Sequence, residues 1–226
     1  TDGIVTSSGG SAFGEGTSLA VNGMIVSNAV TGSALAEIVD ATVTTTSGAL
    51  ALSARNDARV NALLNSVTQS GDTAVGVVLA FNTLGYAPTN ILFQTVDALL
   101  GTSLGTKDAA EAVARITGGT QNTAGDLTVE ADNVAQLNAT LSNAASSEAS
   151  ALYGATGAAA GIVLASNMVA AGADARVSNP LGPVTVGGDA LVRATDAAGI
   201  YSNAKLVSSS VTTNTGVLNI LRDTLN

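Results

Sequence analysis

One pattern constrains this chain more than any other: the heptamer Gly-x-x-Leu-Ala-x-Asn occurs three times, at Gly16 to Asn22, Gly76 to Asn82 and Gly161 to Asn167. A second element follows each copy, as Ala36-Glu37-Ile38, Ala114-Arg115-Ile116 and Ala175-Arg176-Val177. A third begins at Gly48, Gly125 and Gly188, reaches Ala54, Ala131 and Ala194, and continues through a polar residue to Asn56, Asn133 or Asp196. An ordered set of signatures recurring in this way belongs to repeat architectures, in which no unit buries its apolar face alone.

The hydrophobic period selects strand over helix. Leu127, Val129 and Ala131 fall on one face, while Asp126, Thr128, Glu130 and Asp132 fall on the other. That is strict alternation, and Leu50, Leu52 and Ala54 repeat it. β-branched residues crowd Ala41 to Thr46, which suits a pleated surface. Aromatics make up only 3% of the chain, so its core has to be thin and built from small aliphatic side chains. A mainly β fold follows, a parallel β-solenoid (β-helix) with a small α-helical insert, right-handed by the usual crossover rule. The spacing predicts one domain over 1–226, with repeat units at approximately 10–70, 71–150 and 151–215. Each unit is expected to hold roughly two or three coils. Leu19, Leu79 and Leu164, each one residue before Ala and three before Asn, are expected to point inward.

The second unit is longer than the others, and the excess falls in 88–117, where the period changes. Ile91, Leu92, Val96, Leu99 and Leu100 are spaced as on a helix that Gly101 ends. Thr106 precedes a second helix-like stretch, Asp108 to Val113, rich in Ala with acidic residues in its first turn. This predicts one or two short helices inserted at a corner of the stack, with Ile91 to Leu100 offering a neighbour an apolar contact. A further short helix is expected over 217–225, from Val217, Leu218, Ile220, Leu221 and Leu225, covering the open end.

Composition removes whole classes of chemistry. The 226 residues include no His, Cys or Trp, which excludes a Ser/His/Asp triad, a thiol nucleophile, a zinc finger and a disulfide framework. With 17 acidic against 8 scattered basic residues, the net charge of −9 opposes nucleic-acid binding. Charged residues are 11% of the chain, so solubility rests on ordered Ser, Thr and Asn. The most apolar window, 155–173, contains the third heptamer and reads as buried strands, not as a membrane span. The chain starts at Thr1 with no basic and apolar leader, as an excised internal piece of a longer exported bacterial protein would.

The string Ala36 to Val43, followed by Gly48 to Ala54, resembles the repeats of giant bacterial surface proteins, the filamentous-haemagglutinin-like and adhesin-type parallel β-solenoids. The resemblance covers most of the chain outside 88–117. It implies a secreted or surface-displayed stalk, adhesin shaft or filament without catalysis, and it carries over no catalytic residue and no cofactor. The partners it implies are further repeats, joined covalently or by end-to-end association, and a host or neighbouring-cell surface. The alternatives are a carbohydrate-active β-helix enzyme and a glycan- or ice-binding module.

The repeat positions Gly16, Leu19, Ala20, Asn22, Gly76, Leu79, Ala80, Asn82, Gly161, Leu164, Ala165 and Asn167 are the candidate residues. A file of amides could bind an extended polymer, but Asn also tolerates turn geometry and stacks in register, and the structural role outweighs the ligand role. Asp126, Glu130 and Asp132 share a strand face and could in principle run glycoside hydrolysis. Their counterparts in the other units are not acidic pairs, and Phe13, Phe81, Phe93, Tyr86, Tyr153 and Tyr201 are too dispersed for a sugar platform, so a solvated face is the better reading. No calcium-binding nonapeptide, Asp-x-Asp-x-Asp-Gly loop or P-loop lysine is present, and no metal or cofactor site is expected.

Overall fold

The alternating stretches become strands in a computed structural model, which describes residues 2–7, 17–87, 97, 99–101, 106–151, 156–178 and 182–214. In chain order the strands are β1 (Asp2–Ser7), β2 (Leu19–Val30), β3 (Ala34–Val39), β4 (Thr42–Thr44), β5 (Leu50–Asn56), β6 (Arg59–Ser70), β7 (Thr73–Leu84) and β8 (Ala110–Thr117). They continue with β9 (Thr120–Thr123), β10 (Leu127–Asn133), β11 (Gln136–Ala151), β12 (Ala158–Val169), β13 (Ala171–Ser178), β14 (Val184–Val186), β15 (Ala190–Asp196) and β16 (Gly199–Asn214).

All the pairings between these strands are parallel, and they build five sheets. Sheet A runs β1-β6-β11-β16, sheet B β2-β7-β12, sheet C β3-β8-β13, sheet D β4-β9-β14 and sheet E β5-β10-β15. The chain passes through B, C, D, E and A in the same order three times, and each circuit lies on the one before. The architecture is mainly β and solenoid-like. Each sequence repeat makes one five-strand circuit, where two or three coils were expected. Apart from the insert between β7 and β8, the strands within a circuit are separated by connections of only a few residues, so one repeat supplies five sides of a single turn.

Two apolar clusters fill the interior. Val60, Leu64, Val78, Leu84, Leu137 and Leu141 pack between sheets A and B, while Ile116, Leu127, Val129 and small alanines pack between sheets C and E. Burying one Leu or Val side chain contributes about 1.5–3 kcal/mol. The interior tolerates little variation in size, because facing sheets approach closely and packed side chains leave few voids.

The corners explain the polar grammar of the repeats. The Ala58, Ala135 and Ala198 amides donate to the Oδ1 atoms of Asn56, Asn133 and Asp196 at 3.2, 3.4 and 3.1 Å, forming the same side-chain-closed turn from sheet E to sheet A in all three circuits. At the corner from sheet C to sheet D the backbone turns left-handed, at Asp40 (φ 48°) in one circuit and at Gly118 (φ 68°) in the next.

The helical expectations fare differently. Asp108 to Val113 is not a helix: Ala110 begins β8, whose Ala110, Ala112, Ala114 and Ile116 point into the core, so the insert expected over 88–117 ends before 110. Ala is a poor discriminator here, because a narrow β core selects it as readily as a helix does. The helix expected over 91–100 lies largely outside the described residues. Asp97, Leu99 and Leu100 are described there, with the Gly101 amide donating to the Asp97 carbonyl at 2.9 Å. The insert closes on a narrow neck, with the Ala87 amide donating to Thr106 O and the Asp108 amide to Gly85 O, both at 3.0 Å. The C-terminal helix expected over 217–225 falls outside the described residues.

Candidate functional site

The heptamers stack in register only in part. Gly76, Leu79, Ala80 and Asn82 lie directly beside Gly161, Leu164, Ala165 and Asn167. The first copy is displaced by six residues: Leu19 lies beside Thr73, Asn22 beside Gly76, and Asn28 takes the place level with Asn82. An even displacement preserves which residues face inward, so Ala20 and Asn22 are still buried. Gly16 lies outside the described residues.

The expected inward direction of the leucines is corrected. Leu19 is 62% exposed, and Leu79 alternates with the fully buried Val78 and Ala80. Leu164, beside Leu79 in register, has the same outward direction. Gly, Ala and Asn of the heptamer share one parity and fill the narrow interior, leaving Leu to the outer face.

The asparagines form ladders along the stack. Asn28 Nδ2 donates to Asn82 Oδ1 at 2.8 Å, Asn82 Nδ2 to Asn167 Oδ1 at 2.8 Å, and Asn167 Nδ2 to Ser202 Oγ at 2.8 Å. Asn82, in the middle, is buried. Asn22 belongs elsewhere, donating to Ser66 Oγ at 3.1 Å and to Gly3 O at 3.2 Å.

That second site reveals a size exchange between sheets A and B. Asn22 faces Ser66 in the first circuit. In the second, Gly76 occupies the place level with Asn22, and Asn143, level with Ser66, fills the space: a Cβ on Gly76 would lie 2.7 Å from Asn143 Oδ1 and 3.1 Å from Thr68 Oγ1. In the third, Gly161 faces Leu206, whose Cδ1 would be 2.6 Å from an added Cβ. Each circuit therefore places one large side chain at this cross-section, from sheet B in the first and from sheet A in the second and third. Asn143 Nδ2 donates to Gly76 O at 3.0 Å and Ile162 O at 3.1 Å, while its Oδ1 and Thr68 Oγ1 are buried without a partner among the described residues.

The acidic face of β10 is tied along the same axis. Glu130 pairs with Arg193 of the next circuit at 2.9 Å, Asp132 pairs with Arg55 of the previous one, and Asp126 Oδ1 accepts from the Asp189 amide at 2.9 Å. Glu37 and Arg115 make the corresponding link between β3 and β8 at 2.7 Å. Each carboxylate is occupied by a group in an adjacent circuit, so what the arrangement does chemically is fix axial register. Among the described residues no group of three or more acidic side chains is placed to hold a metal ion. No helix among them is long and apolar enough to cross a membrane.

Among the described aromatics, Phe81 on β7 and Tyr201 on β16 belong to different sheets. Phe81 is buried and Tyr201 stands exposed on the outer face of sheet A, while Phe13, Phe93 and Tyr153 lie outside the described residues. A cleft of about 450 Å³ beside β1 is lined by Thr6, Gln69, Ser146 and Glu148, with Glu148 as the one titratable group among its described residues. The ladders were signalled by the recurring Asn. The Asn143 and Arg193 contacts were not, because their partners lie 67 and 63 residues away in sequence. Comparison with known protein families, with curated proteins and with solved structures finds no match to this chain.

Proposed function

We propose that this chain is a segment of an extracellular β-solenoid (β-helix) shaft, a structural or adhesive element on a bacterial cell surface that stacks end to end or continues into further repeats. The observation that supports it best is the condition of the last circuit. Val192 and Leu206 are level with the buried Val129 and Asn143 of the preceding circuit and face the same interior, yet they are 48% and 51% exposed. Their apolar surface and the edges of β12 to β16, unpaired among the described residues, call for another circuit above them, since open edges invite pairing. Low charge, a net −9 and the resemblance to adhesin-type repeats agree with an exported rod.

The reading is tested by sedimentation velocity and electron microscopy of the native material. Open-ended thin particles that lengthen with concentration are expected, with growth abolished by Val192→Lys, which places a charge on the terminal face. Compact, uniform single copies at every concentration overturn it.

A further inference from the structure

The outer face of sheet B is unlike the others. The strands β2, β7 and β12 contain no charged residue, although the chain has 25 elsewhere, and Glu37, Arg115, Glu130, Arg193 and Lys205 mark the outer faces of sheets C, E and A. By alternation Leu19, Val21, Ile25, Val77, Leu79 and Ile162 all point outward, and Leu19, Val21, Ile25 and Ile162 are more than half exposed. Among the described residues, the outward positions of this face already buried are Phe81 and Thr83, beside the neck of the insert. Monomeric proteins seldom leave so continuous an aliphatic surface to water.

We infer that a second copy of this chain covers sheet B, the two faces packing about a two-fold axis parallel to the strands. The occupant follows from the shape of the face. Such an axis exchanges the two edges, so that β2 of one copy lies over β12 of the other; three of the aligned outward pairs then complement each other in size, while Ile25 meets Leu164. Leu19 is in line with Ala158, Val21 with Ala160, and Gly23 with Ile162, each pair spanning β7. Bulk on one edge meets a small residue on the other at three successive positions, as interdigitating sheets require. An isologous interface demands this self-complementarity.

Area and charge agree. Strands of 12 residues, three abreast, make a face of about 40 by 14 Å, on the order of 500 Å² once the covered part is set aside. Two such faces bury on the order of 1,000 Å², at the lower bound for a specific pair. A charged partner would lose its hydration against a surface with nothing to pair with it. A membrane is disfavoured, because surface-seeking faces carry basic residues beside their apolar ones, and this face has none on a chain of net charge −9. The pairing runs the two stacks antiparallel and needs no end-to-end growth.

Sedimentation equilibrium of the purified chain tests it, with Val21→Lys/Ile162→Lys as the interface variant and Val192→Lys as the end variant, each checked for an unchanged far-ultraviolet circular dichroism spectrum. The expected result is a closed association saturating at twice 22.0 kDa once ends are blocked, with the dissociation constant raised about a hundredfold by the paired lysines. Because the chain has no Cys, Val77→Cys gives a second readout: it lies on β7, where the axis sets each residue opposite its own mate, and a short bifunctional thiol reagent should link it, while Glu130→Cys stays unlinked. Oligomers that Val192→Lys abolishes and Val21→Lys/Ile162→Lys leaves intact overturn the pairing and sustain the shaft; the reverse sustains the pairing alone. A chain that is monomeric at all concentrations, or that floats with lipid vesicles through this face, overturns it too.

Discussion

Replacing Asn82 by Ala removes the central rung of the longest amide ladder, and the structure sets the size of the loss. Asn82 donates one hydrogen bond and accepts another, both at 2.8 Å, in a buried position. Each contributes about 1 kcal/mol net, and the amide of Asn28 and the carbonyl of Asn167, half-buried, lose their partners and add about 1 kcal/mol together. The expected loss is about 3 kcal/mol. With a urea dependence of about 3 kcal/mol per molar, the midpoint followed by circular dichroism should fall by about 1 M. Asn138→Ala is the control: its Nδ2 donates to Asn61 Oδ1 at the same 2.8 Å, but on the exposed face of sheet A, where the loss should be about 0.5 kcal/mol. Equal shifts for the two variants would refute the reasoning, since Asn82 makes two hydrogen bonds in a buried position and Asn138 donates one on an exposed face.

Three further outcomes are expected. Val78→Asp should prevent folding or cost more than about 4 kcal/mol, whereas Leu79→Asp, one residue on, should cost about 1 kcal/mol and leave the spectrum unchanged, because only Val78 faces the core. Gly76→Ala should cost about 2 kcal/mol through its contact with Asn143, and Asn143→Ser, which imitates the Asn22 and Ser66 arrangement, should recover more than half of that in a double-mutant cycle read by thermal melting. Replacing 88–105 by a short Gly/Ser linker should preserve the β spectrum, because the neck between Gly85 and Asp108 closes without it, while a deletion reaching 112 should not fold, since it removes the buried Ala110 and Ala112.

What could be read from the residues was whatever is local. The alternation at Leu127, Val129 and Ala131 specified both strand and buried face, and the Ala-polar-Asn run specified the corner at Asn56 and Asn133. The heptamer misled in direction because Leu19, Leu79 and Leu164 are its most apolar members, while the narrow interior selects by volume and takes Gly, Ala and Asn. It misled in register because the first copy stands six residues early, and only the pairing of β2 with β7 reveals that Asn28 occupies the ladder. The stretch from Asp108 to Val113 looked helical for the same reason, Ala being favoured both by helices and by tight β interiors. Exchange of bulk between Gly76 and Asn143, or between Gly161 and Leu206, depends on walls far apart in sequence and has no local signature.

The claim that this chain is one stretch of a continuous stack is tested most directly by diffraction or high-resolution electron microscopy of the assembled native material. The expected result is a repeat of about 4.8 Å along the particle's long axis, with strands perpendicular to that axis, running without interruption from one copy to the next. Strands lying along the axis, or copies joined through contacts that leave Val192 and Leu206 open to solvent, would contradict it.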